Sequence, residues 1–84
     1  MKKIMLLIMT FTFGLHANCE SGHWIDAVMD NGAIIKLEDG SLWKVSSLDT
    51  INSSLWLPIS NITVCDYKLI NTDDNEIVEA RRIN

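Results

Sequence analysis

From Trp24 onward, apolar and polar residues alternate in short runs, and turn-forming residues separate the runs every few positions. Period-two alternation with frequent turn signals predicts an all-β domain. The first run, Trp24 to Asp30, ends at Asn31-Gly32, a pair that tolerates the positive φ both central positions of a tight hairpin turn require. Ala33 to Leu37 then forms the returning strand. The next stretch, LEDGSLWKV (Leu37 to Val45), admits two registers. A two-residue loop at Asp39-Gly40 would set Ile35 opposite Lys44, a core side chain against a charge. A three-residue loop, Glu38-Asp39-Gly40 with Gly40 left-handed, pairs Ile35 with Trp43 and Ala33 with Val45. The second register gathers Ile35, Leu37, Trp43 and Val45 on one face. Because a one-residue slip would turn that whole set to solvent, burial selects the three-residue loop.

Alternation stops at Ser46. The segment SSLDTINSSLWLPIS, residues 46–60, holds the chain's only proline and reads as a long connection. Ser47-Leu48-Asp49 suggests a turn of helix, and Leu55, Trp56 and Leu57 are apolar enough to fold back onto the core. Alternation resumes over Asn61 to Asp66, with Ile62 and Val64 on one face and Cys65 on the other. A tight hairpin at Asp66-Tyr67 leads into Lys68 to Thr72. Asp73-Asp74-Asn75 turns the chain once more into Glu76 to Arg82, where Val78 and Ala80 alternate with Ile77, Glu79 and Arg81. Five or six short antiparallel strands with one long loop predict a small, partly open barrel, an arrangement that protects sheet edges.

The N-terminus has a different pattern. Residues 1–17, MKKIMLLIMTFTFGLHA, combine Lys2 and Lys3 with an apolar run from Ile4 to Gly14 and a small residue at Ala17. That is the layout of a signal peptide cleaved after Ala17, which leaves one domain over residues 18–84. The apolar run falls short of the roughly 17 to 25 residues needed to span a bilayer. Stable membrane insertion after cleavage is therefore not expected, and the protein is placed in the periplasm or outside the cell. Over residues 18–84, five basic residues face eleven acids, a net charge of −6. Such a balance disfavours nucleic acid and anionic membranes, which require clustered cations. In an oxidising compartment the two cysteines, Cys19 and Cys65, are expected to form a disulfide. Their spacing fits neither a Cys-x-x-Cys redox pair nor a zinc site.

The run I-I-x-L-E-D-G-S-x-W-x-V (Ile34 to Val45), Trp56, I-x-V-C (Ile62 to Cys65), L-I-N (Leu69 to Asn71) and V-x-A-R (Val78 to Arg81) together resemble small exported bacterial proteins of unknown function with an SH3-like barrel. The resemblance spans nearly all of residues 18–84 and rests on hairpin and core positions. It implies a fold and carries over no catalytic residue.

Candidate chemistry is sparse. His23, the only histidine after residue 17, lies beside Trp24 and reads as a solvated side chain rather than a general base. The acidic turn Asp73 to Glu76 lacks the glycine and ligand spacing of a calcium loop, so no metal and no cofactor are expected. The sequons at Asn52 and Asn61 carry little weight behind a bacterial-type leader. Among the tryptophans, Trp43 belongs to the core. Trp56, in the irregular connection beside Pro58, is the candidate for a partly exposed anchor, flanked by Leu55 and Leu57. The sequence thus points to a non-enzymatic module that binds a protein or cell-envelope ligand through that loop or an open strand edge. The alternative is a structural or stress-related envelope protein without a dedicated site. Oligomeric state is not encoded in any feature of the sequence.

Overall fold

The computed structural model describes residues 18–84; the expected leader lies outside them. Six strands form the domain: β1 Glu20–Met29, β2 Ile34–Leu37, β3 Leu42–Val45, β4 Asn61–Cys65, β5 Lys68–Asn71 and β6 Glu76–Arg82. A single-turn helix, α1, covers Thr50–Ser53. Every pairing is antiparallel, and the ring β1-β2-β3-β6-β5-β4 is closed. Closure comes from β1, which is longer than the alternation alone implied. Its second half, from Ile25, pairs with β2, and its first half, Glu20 to Trp24, pairs with β4. Register shifts between Glu20 and His23 and between Ile25 and Ala27 bend the strand so that one segment serves both neighbours. The barrel is therefore closed rather than partly open, and it presents no free sheet edge among the described residues.

The expected hairpin register holds. Ile35 pairs with Trp43 and Ile34 with Lys44, the Val45 N–H donates to the Ala33 carbonyl at 2.8 Å, and Gly40 has φ of +87°. The Asn31-Gly32 turn also forms, with the Ala33 N–H donating to the Asp30 carbonyl at 3.0 Å. Asp30 joins its two successors at positive φ, giving a short left-handed turn. Asp66-Tyr67 is the predicted two-residue hairpin, since Cys65 pairs with Lys68.

Ile25, Ile35, Leu37, Trp43, Val45, Trp56, Ile62, Leu69, Val78 and Ala80 fill the barrel. The Cys19–Cys65 disulfide ties the residue before β1 to the end of β4, closing a separation of 46 residues. None of the described helices is long and apolar enough to cross a membrane.

Candidate functional site

The E-D-G-S-x-W motif acts as a hydrogen-bond relay that holds the β2–β3 hairpin. Asp39 Oδ1 accepts from the Ser41 N–H at 2.9 Å and the Ser41 hydroxyl at 2.6 Å, and Ser41 Oγ accepts from the buried Trp43 indole at 3.0 Å. A short polar side chain that turns back on its own backbone is the usual device for fixing a tight loop. Glu38 binds the same loop to β1: the Trp24 N–H donates to its carboxylate at 3.0 Å, while the Glu38 N–H donates to the Trp24 carbonyl at 3.0 Å. The motif is thus fully occupied in holding the fold.

His23 is not the solvated side chain the sequence suggested. Its ring lies between two carboxylates, Nδ1 at 2.8 Å from Glu38 and Nε2 at 3.1 Å from Glu20. The Glu20 hydrogen bond is the main reason its pKa is raised, against desolvation and with help from Glu38. Partial burial pushes Glu38 up, but donors from Trp24 and His23 outweigh it and the carboxylate ends below its usual range. His23, Glu38 and Asp39 are close enough to offer three ligand atoms to one ion. Even so, a ring engaged by carboxylates at both nitrogens is the geometry of a protonated clasp, and a metal would have to displace one of them.

Trp56, expected to be partly exposed, lies in the core at 2 % exposure, and its indole N–H donates to Glu76 Oε1 at 2.7 Å. Leu55 and Leu57, expected to fold back onto the core with it, face solvent at 76 % and 68 % exposure. The backbone explains the separation. Turn and helical hydrogen bonds run from the Asp49 N–H to the Trp56 N–H, so residues three and four apart share a face. Ser53 and Trp56 face the barrel, Ser53 donating to the Gly32 carbonyl at 2.7 Å. Leu48, Ile51 and Leu55, spaced i, i+3 and i+7, form a single outward stripe at 87 %, 75 % and 76 % exposure. Ser47-Leu48-Asp49 forms a turn, the Asp49 N–H donating to the Ser46 carbonyl at 2.9 Å, and the helix proper begins at Thr50; the Asp49 carboxylate accepts the Glu79 N–H at 2.8 Å instead of capping that helix.

A second surface feature follows at the end of the connection. Leu57 to Ser60 makes a turn, the Ser60 N–H donating to the Leu57 carbonyl at 3.2 Å, with Pro58 and Ile59 at its corners. Ile59 sits at φ +76° and remains exposed. A β-branched residue rarely tolerates that conformation, which a glycine would adopt freely. The Ile59 N–H donates to the Ile25 carbonyl at 2.7 Å, holding the strained residue against β1.

No family model, curated protein or solved structure matches this chain.

Proposed function

We propose that the protein is an exported, non-enzymatic interaction module that docks another protein on the apolar crest of residues 46–60. The observation that carries this reading is a set of exposed aliphatic side chains on one short segment. Ser53 and Trp56 face the barrel, and on the opposite side Leu48, Ile51 and Leu55 all face solvent. Exposed aliphatic side chains are unfavourably hydrated, and burying them against a partner recovers that free energy. Ile59, strained and exposed, points the same way, since backbone strain is retained where something compensates for it. A structural envelope protein without a dedicated site would instead be expected to keep its surface uniformly polar.

The nature of the partner follows from charge and size. A chain of net charge −6 favours a partner whose apolar groove has a basic rim, and it disfavours anionic lipid. A crest of a few side chains covers roughly a few hundred Å², the scale of a transient contact rather than the roughly 800 Å² per partner of a standard complex. The closed ring makes strand addition a poor route, so the loop replaces an open edge as the contact surface. Export to the periplasm or medium is supported by the disulfide, which persists in oxidising compartments. The SH3-like description is supported by a small antiparallel barrel closed by one bent strand.

Photo-crosslinking tests the proposal. A photoreactive residue at Ile51, with one at Asp66 as control, is irradiated in an envelope extract of the producing cells. The expected result is an adduct from position 51 alone, competed by excess parent protein but not by the equally stable Ile51→Ser/Leu55→Ser variant. An adduct only with itself, or equal adducts from both positions, would overturn it.

A further inference from the structure

A groove of about 720 Å³ lies between the 30–33 turn, the outer side of β3 and β6, the start of the 46–60 connection, and Tyr67. Lys44 and Arg81 line it, and they are direct cross-strand partners. Like charges in facing positions weaken a sheet. Neither has a carboxylate oxygen within 4.0 Å, because the ion pairs among the described residues are those of His23 with Glu20 and Glu38 and of Lys36 with Asp26. Lys44 and Arg81 thus stand side by side without a direct ion pair. An anionic group placed between them would relieve their mutual repulsion.

The remaining lining narrows the ligand class. Asp30 and Glu79 also line the groove, so its formal charge is near zero, and the two carboxylates favour a ligand that brings hydrogen-bond donors along with its anionic group. Carboxylate side chains accept hydrogen bonds from hydroxyl groups, and Ser46 and Ser47 add hydroxyls of their own. Tyr67 presents a 73 % exposed aromatic side chain at the same groove. The volume is within the roughly 300 to 1,000 Å³ of small-molecule sites.

We propose that this groove binds an acidic saccharide, with the sugar carboxylate on Lys44 and Arg81, sugar hydroxyls on Asp30 and Glu79, and the Tyr67 ring against a sugar face. Arg81 can take both carboxylate oxygens in its planar fork while Lys44 adds a point charge. The site is separate from the apolar crest, and the two fail or stand independently.

Amide NMR of the oxidised protein tests it with three probes: a galacturonate trisaccharide, the neutral galactose trisaccharide and inorganic phosphate. The acidic sugar should produce saturable shifts at Lys44, Arg81 and Tyr67, and the other two probes none that saturate in the same range. Lys44→Gln and Arg81→Gln should each weaken binding roughly tenfold or more, as expected for the loss of a charge-assisted hydrogen bond. Both variants should melt no lower than the parent, since each removes a like-charge contact. Saturable shifts with phosphate or the neutral sugar at equal strength, undiminished binding in the folded variants, or no saturable shift with any probe would overturn the proposal.

Discussion

Single side chains divide sharply into those the alternation placed and those it left open. Trp43 sits in an alternating strand, and its burial could be read from Ile35 and Val45 around it. Trp56 lies where no period-two pattern exists, so Leu55, Trp56 and Leu57 looked equivalent, and only the helical path from Asp49 to Trp56 turns the indole inward. Both tryptophans are now core residues, and Trp56→Ala should destabilise as much as Trp43→Ala, by about 3 to 5 kcal/mol each. Urea unfolding of the two variants checks this; a Trp56→Ala protein as stable as the parent would put the ring back on the surface. His23 was misjudged for a related reason. Glu20 and Glu38 are close in space because β1 shifts register and the Glu38 loop closes over it, and neither event leaves a mark in the spacing of the sequence.

Elements were legible where both faces were assigned by pattern, as in the β2–β3 and β4–β5 hairpins, and illegible where backbone irregularity decides. The two bends of β1 convert a six-strand set into a closed ring, and bulges have no dependable residue signature. Packing of α1 on the 30–32 turn is a second such event, and it gives Gly32 a role beyond its turn. Gly32 has φ of +92°, and a Cβ there would lie 2.6 Å from Ser54 Cα, whereas a Cβ at Gly40, φ +87°, would meet nothing within 4 Å. Gly40→Ala should therefore cost about 1 to 2 kcal/mol, the usual strain of a left-handed residue. Gly32→Ala should cost clearly more, because backbone must move as well. Thermal melts of the pair decide this, and equal losses would mean that the helix is not seated on the turn. At the other end of the connection, Ile59→Gly should stabilise the domain slightly, since release of β-branched strain offsets the added chain entropy. If the crest is a docking surface, the same substitution should weaken partner capture even as the melting temperature rises.

At the scale of the whole barrel, the first half of β1 is the part most dependent on added restraints, since it pairs irregularly with β4 and opens the described chain. Two devices hold it: the disulfide at Cys19 and the clasp of His23 with Glu20 and Glu38. By the chain-entropy model a loop of this length adds at most about 4 kcal/mol, so a Cys19→Ser/Cys65→Ser protein should lose a large share of a small domain's stability. The clasp makes the remainder depend on pH in a predictable direction. His23 has a pKa raised above 6.5 in the folded state, so its contribution is fully present below pH 6.5 and is lost as pH rises through the folded value. Glu38 has a pKa lowered below 4.5, so its contribution is fully present above pH 4.5 and is lost as pH falls through the folded value. The two together are strongest between pH 4.5 and 6.5. Urea midpoints for the parent should therefore be higher within that window than at about pH 9, where an unperturbed histidine is neutral. His23→Gln should flatten the alkaline side of the curve while leaving Cys19–Cys65 intact, and hydrogen exchange should localise the difference to Glu20 to Trp24. A His23→Gln protein with the parent's alkaline decline would assign that decline to other groups and reduce the clasp to a surface contact.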